Sequence, residues 1–172
     1  MALYQELWRR EKVPARTLLL REGAVCDRIY RIRRGCVRAF FDRGDKEICF
    51  QFFFEKDIVY APESFRLGVP SPFTLETIEP CILYSIGGEE TAVLRNDSGY
   101  YNLILDRIAT LHSEQLRHFF SFLSDKPRQR YERLLREKPM VLQRVPLHFV
   151  ASYLGITQVS LSRIRSQSRN GI

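Results

Sequence analysis

Pro146-Leu-His-Phe-Val-Ala-Ser-Tyr-Leu-Gly155-Ile-Thr157-Gln-Val-Ser-Leu-Ser-Arg163-Ile-Arg165 reads as two short amphipathic helices hinged at one glycine, the helix-turn-helix pattern. Phe149, Val150 and Leu154 share the stripe a first helix would bury. Gly155 supplies a turn that a Cβ would hinder, and Ile156 fills the space between the two helices. Thr157 is placed to cap the second helix, its hydroxyl accepting from a free backbone N–H. Leu161 and Ile164, at i and i+3, point inward. Gln158, Val159, Ser160, Ser162, Arg163 and Arg165 are left outward. An ordinary helical hairpin with a Ser/Arg surface would show the same pattern, so the rest of the chain has to decide between them.

Charge is the first discriminator. Of the 172 residues, 1–124 hold 17 Lys/Arg and 17 Asp/Glu, while 125–172 hold ten Lys/Arg against Asp125, Glu132 and Glu137. The whole net charge of +7 therefore sits in the segment that carries the helix-turn-helix pattern. That is the electrostatic footprint of phosphate binding. A membrane-surface helix would need one continuous apolar face opposite the cations, and none is present. No apolar run reaches the roughly 18 residues of a membrane span, and Arg9, Arg10, Glu11, Lys12 and Pro14 stand where a secretion signal would be apolar. A cytoplasmic chain without membrane contact is expected. Cys26, Cys36, Cys49 and Cys81 form no C-x-x-C pair and read as buried thiols on strands. No metal or cofactor is expected.

Composition predicts a short helix over residues 4–12. Residues 16–86 have β texture: runs at 17–20, 27–33, 36–41, 73–78 and 81–86, separated by turn residues. Asp42-Arg43-Gly44-Asp45 signals a hairpin. Ile48, Phe50, Phe52 and Phe54 alternate along one face, with Cys49, Gln51 and Phe53 on the other. From Gly87-Gly88 the texture is helical, with a short helix at 89–94 and a long one capped by Asp97 or Ser98 and running to Ser124. Ile104, Ile108, Leu111, Gln115, His118 and Phe122 mark one seam of it. Leu103, Leu116, Phe119, Phe120 and Leu123 widen the apolar surface enough for the β domain on one side and a second copy on the other. Pro127 breaks this helix. A basic helix follows at 128–137 with Tyr131, Leu134 and Leu135 inward, and Lys138-Pro139 ends it.

Leu19-Leu-Arg-Glu-Gly23-Ala-Val-Cys-Asp-Arg-Ile-Tyr30-Arg-Ile-Arg-Arg-Gly35-Cys-Val-Arg38 sets two turn glycines around a strand. Ser121-Phe-Leu-Ser-Asp125 through Tyr131 and Leu134-Leu135 makes a linker and a first helix. Ala151-Ser-Tyr-Leu-Gly-Ile-Thr157 through Leu161-Ser-Arg163-Ile is the most specific stretch. In this order, over nearly the whole chain, the three resemble the Crp/Fnr family of bacterial transcription regulators. The resemblance implies an α+β fold: a jelly-roll-like β-roll sensor domain of the cyclic-nucleotide-binding type (1–96), a long central dimerisation helix (97–124) and a C-terminal helix-turn-helix DNA-binding domain (125–172). Only seven residues follow Arg165, so little or no wing is expected. The family's nucleotide binders use a Gly-Glu pair for the ribose and an Arg before a small hydroxyl residue for the phosphate. Here the matching stretches read Ala61-Pro62-Glu63-Ser64 and Pro70-Ser71-Pro72-Phe73-Thr74. Glu63 matches the acidic residue, but no arginine precedes Phe73-Thr74, and a buried phosphate would lack its charge-assisted partner. Cyclic AMP is therefore not expected. Glu63, Ser64, Phe73 and Thr74 remain as candidates for a different effector pocket, and the many aromatic residues of the β domain read as core before they read as cavity lining.

The resemblance implies a homodimer paired along residues 98–124, with its second helices in successive major grooves of double-stranded DNA. Sites would be inverted repeats with half-site centres about 34 Å apart. By matching positions, Gln158, Val159 and Arg163 face base edges and Thr157, Ser160 and Ser162 face phosphates, with Arg165 beside them. Val159 stands where many family members carry glutamate, so their usual target sequence does not transfer. RNA polymerase and a small-molecule effector other than cyclic AMP are further candidate partners. The alternatives are a ligand-sensing β-roll dimer with weak or lost DNA binding and, less favoured, a cupin-type β-barrel enzyme. The last would need histidines on strands, whereas His112, His118 and His148 fall in helical segments. No catalytic residues are expected.

Overall fold

Short alternating runs closed by turn residues build eight strands: β1 (Arg9–Val13), β2 (Leu18–Leu20), β3 (Arg28–Arg34), β4 (Val37–Arg43), β5 (Lys46–Phe53), β6 (Ile58–Val59), β7 (Thr74–Thr77) and β8 (Cys81–Gly87). The computed structural model describes residues 6–94 and 97–169. The strands form two four-stranded antiparallel sheets, ordered β1-β8-β3-β6 and β2-β7-β4-β5. Leu20, Val37, Ala39, Phe53 and Leu75 of one sheet share a core with Tyr30, Ile32, Val59 and Leu83 of the other. This is a β-roll.

Seven helices complete the described residues. They are α1 (Pro62–Leu67), α2 (Gly88–Leu94), α3 (Ser98–Ser124), α4 (Pro127–Glu137), α5 (Pro139–Arg144), α6 (Leu147–Tyr153) and α7 (Gln158–Arg169). At 27 residues, α3 is about 40 Å long. Its Leu111 enters the roll's core. No helix among the described residues is long and apolar enough to cross a membrane. No strand follows α7 among them, and residues 170–172 lie outside.

Leu135 of α4, expected inward beside Tyr131 and Leu134, is 48 % exposed, since only one stripe of that helix meets the core, and four further expectations need correction. Residues 9–13 are not helical: they pair with β8 from Arg9↔Ser85 to Val13↔Cys81. Helix-favouring Arg, Glu and Lys yield here to sheet hydrogen bonding, and their charges suit an edge strand that must not recruit another chain. Residues 4 and 5 lie outside the described residues. Second, the regular alternation along β5 breaks at a bulge, where Ala39 pairs with Gln51 but Phe40 pairs with Cys49. The unpaired extra residue, Phe50, packs against the roll's core, while Phe52 and Phe54 turn to the opposite cluster. Third, Lys138-Pro139 does not lead straight into the helix-turn-helix. Pro139 starts α5, because proline at a helix's first position gives up no needed donor. Fourth, all four cysteines are free and buried, but only Cys49 and Cys81 lie on strands.

The basic tail does not hang free. Cys49 and Phe52 of β5 join Tyr131, Leu134, Val141, Val150, Leu154 and Leu161 in one buried cluster. The outer side of β5 is thus part of the core of the helical tail. Residue polarity had pointed to a two-sided β5 without indicating what would cover its second side.

Candidate nucleic-acid interface

Local chemistry positions α6 and α7. Gly155 holds φ at +65°, and a Cβ there would lie 2.5 Å from the Phe122 ring of α3. The turn is closed by Gly155 N–H donating to the Ser152 carbonyl and Ile156 N–H to the Ala151 carbonyl, both at 3.0 Å. Thr157 caps α7 as expected: its Oγ1 accepts the Ser160 N–H at 3.1 Å and lies 2.9 Å from the Ser160 hydroxyl. Leu161 is fully buried, and Ile156 and Ile164 pack beside it.

The opposite side of α7 is open. Gln158, Val159, Ser162 and Arg163 are exposed, and Arg165 is half-buried. Val159, an apolar side chain, is 62 % exposed. Thr157 is exposed and Ser160 half-buried, and the cap ties their hydroxyls to each other. Arg163 and Arg165 make no ion pair among the described residues. Cations earlier in the tail differ: Arg128 pairs with Glu132, Arg133 with Asp125, Arg136 with Glu137, Lys138 with Glu114, and Arg144 with Glu55 and Glu79. Half of the ten tail cations are therefore paired within the chain, and among the described residues Lys126 joins Arg163 and Arg165 in making no ion pair.

Sequence reasoning missed the residues that hold this unit in place. Arg130, buried in α4, donates to the Leu154 carbonyl at 3.1 Å and the Asp125 carbonyl at 2.7 Å, with its guanidinium over the Phe122 ring. Arg38 of β4 is buried between the Phe40 and Phe149 rings, 3.8 Å from each centroid, and pairs with Glu47 and Glu76. Ser152 accepts the Cys49 N–H at 3.0 Å and donates to the Glu47 carbonyl at 2.8 Å. Tyr153 stacks on His118 at 3.7 Å between near-parallel rings. Burial, reinforced by Lys138, Arg130 and Arg133, pushes the His118 imidazole down to about 4. Hydrogen bonds from Arg144 hold the Glu55 carboxyl at about 2. An arginine within a strand was an available signal, with Glu47 nine residues on across the hairpin, but Glu76 and Phe149 lie too far along the chain to be read from spacing.

The candidate effector residues each have contacts of their own within the β domain. Ser64 is fully buried, accepting the Cys26 N–H and donating to the Val69 carbonyl. Thr74 is buried and accepts the Glu22 N–H. Phe73 packs edge-on against Phe50. Glu63 is exposed and lies on the rim of an apolar cavity of about 430 Å³ beside α3. All three histidines sit on helices, His112 and His118 on α3 and His148 on α6.

The cyclic nucleotide-binding domain family matches residues 10–97, just over half of the chain. The chain belongs to that family. Among solved structures, FixK2 from Bradyrhizobium japonicum is similar at 15 % identity, covering 95 % of this chain and 85 % of that one with a TM-score of 0.81. A CooA mutant from Carboxydothermus hydrogenoformans matches at 13 % identity over 96 % of this chain and 78 % of its own, with a TM-score of 0.79. A transcriptional regulator of the Crp/Fnr family from Eubacterium rectale matches at 16 % identity over 98 % and 82 %, with a TM-score of 0.75. This cyclic nucleotide-binding domain protein therefore has the Crp/Fnr regulator fold beyond the β-roll, through α3 and into α7. A comparison with curated proteins gave no match.

Proposed function

We propose that this protein is a DNA-binding transcription regulator that acts as a homodimer on inverted-repeat sites. The supporting observation is α7: it is capped at Thr157, anchored through Leu161, and turns Gln158, Val159, Ser162 and Arg163 to solvent with no ion pair to Arg163 or Arg165 among the described residues. A short helix with exposed amide, hydroxyl and guanidinium groups suits the major groove. Arginine matches guanine and glutamine matches adenine in bidentate geometry, and a valine suits a thymine methyl. Thr157, Ser160, Ser162 and Arg165 are assigned to phosphates. Dimerisation along α3 is supported by Leu105, Leu116, Phe119, Phe120 and Leu123, all exposed.

The effector, where one acts, is a molecule other than cyclic AMP. The Ser64 hydroxyl both accepts from and donates to the backbone, the Thr74 hydroxyl accepts the Glu22 N–H, and no arginine directly precedes Phe73-Thr74 in the sequence to meet a phosphate. Selection of bound sequences from a random duplex pool, with the purified chain, tests the function. The expected result is a two-fold symmetric site, with binding that weakens steeply as salt rises. Recovery of no sequence above background overturns the proposal. Within that site, Arg163→Ala is expected to cost about 1–3 kcal/mol and relax selection at one base position.

A further inference from the structure

The cavity beside α3 lies outside the roll. Ile29, Ile58 and Ile86 line it. They alternate with Tyr30, Val59 and Leu83, which belong to the roll's core, so the cavity opens on the opposite face of that sheet. Ile104 and Ile108 of α3 cover it, and α1, α2 and Trp8 complete the walls. At about 430 Å³ it falls in the range of roughly 300–1,000 Å³ typical of small-molecule sites. Among the described residues, the polar groups in its lining are the Trp8 indole N–H, the Tyr60 and Thr91 hydroxyls, and the charges of Glu63 and Arg66. The Thr91 hydroxyl already donates to the Gly87 carbonyl. Glu63 and Arg66, both exposed, offer opposite charges at the rim. A sugar or phosphate placed inside would set most of its hydrogen-bonding groups against Ile29, Ile58, Ile86, Ile104 and Ile108, which is costly. An apolar body would meet no such penalty and would be held by burial alone.

We infer that this cavity binds an uncharged, largely apolar small molecule. The site involves no DNA, and it deepens the proposed function by giving a place to an effector other than cyclic AMP; it rests on that reading, since Leu105 lines the cavity and also belongs to the proposed dimer face. It also joins the sheet to α3, so an occupant bridges the roll and the long helix.

Trp8 is the chain's single tryptophan and lies in the cavity wall, which provides a direct readout. The purified full chain is titrated with decanol as an aliphatic probe, biphenyl as an aromatic one and cyclic AMP as a polar comparison. Tryptophan emission and the unfolding midpoint are followed together. The expected result is a saturable emission change and a raised midpoint with decanol, biphenyl or both, and neither with cyclic AMP. Thr91→Phe, which fills the cavity, is expected to weaken binding about ten-fold or more, while Thr91→Val leaves it nearly unchanged. Ile104→Phe on the α3 side repeats the block if Thr91→Phe fails to fold. No saturable change with either apolar probe overturns the inference, as does equal binding by a folded, cavity-filled variant.

Discussion

Gly155 carries two constraints at once, a left-handed φ of +65° and a Cβ position 2.5 Å from the Phe122 ring. Gly155→Ala is therefore strained in its own backbone and clashes with α3. A loss of about 2 kcal/mol or more is expected in urea unfolding. Phe122→Leu in the same background should return part of it, and no recovery would mean that φ alone sets the cost. His118 makes acid stability a residue-level question. Its ordinary value is 6.5, and in the folded chain it is held near 4 by burial and by Lys138, Arg130 and Arg133. Between those values the unfolded chain takes up the proton and the folded chain does not. Stability from this group is intact above pH 6.5 and falls as pH drops toward 4, by up to roughly 3 kcal/mol. Glu55 behaves as a depressed carboxylate, so its contribution is lost lower down, between its ordinary 4.5 and about 2. His118→Phe should flatten the unfolding midpoint between pH 7 and 4.5, and an unchanged slope would place the dependence elsewhere.

At the scale of elements, α3 divides its surface. Leu111 enters the roll and Phe122 meets Gly155, while Leu116, Phe119, Phe120 and Leu123 face solvent. Leu123 is 75 % exposed, so nothing among the described residues covers this apolar side chain. Leu123→Glu combined with Leu116→Glu is expected to shift the sedimenting species from dimer to monomer while circular dichroism stays unchanged. A dimer that survives both would move the interface off α3. The element pattern was largely legible beforehand: α3 ends at Ser124 because Pro127 follows, and α7 starts after Thr157 because its hydroxyl caps it. What escaped was non-local. β1 becomes a strand only because β8 offers it a partner. The β5 bulge re-aims Phe50 because Phe40 pairs one residue out of step.

Across the whole molecule, the helix-turn-helix leans on its own roll. Arg38 grips Phe149, Ser152 bonds β5, Tyr153 contacts Phe52, and Arg144 reaches Glu55 and Glu79. Arg38→Ala removes the partner of Glu47 and Glu76 together with the Phe149 contact. It should cost about 3 kcal/mol in unfolding and quicken proteolysis at the 124–127 linker. Unaltered cleavage would show that the remaining contacts hold the two halves together without it. The sequence by itself determined the parts: turn residues delimit strands, apolar periodicity delimits helices, and Thr157 and Gly155 define the helix-turn-helix, because each depends on neighbours a few residues away. The tertiary structure alone decided how those parts meet: which side of β5 the tail covers, which of ten tail cations are committed to internal pairs, and where an apolar cavity remains. Those outcomes depend on contacts between residues as much as 105 positions apart, as between Ser152 and Glu47. No local pattern encodes such a pairing.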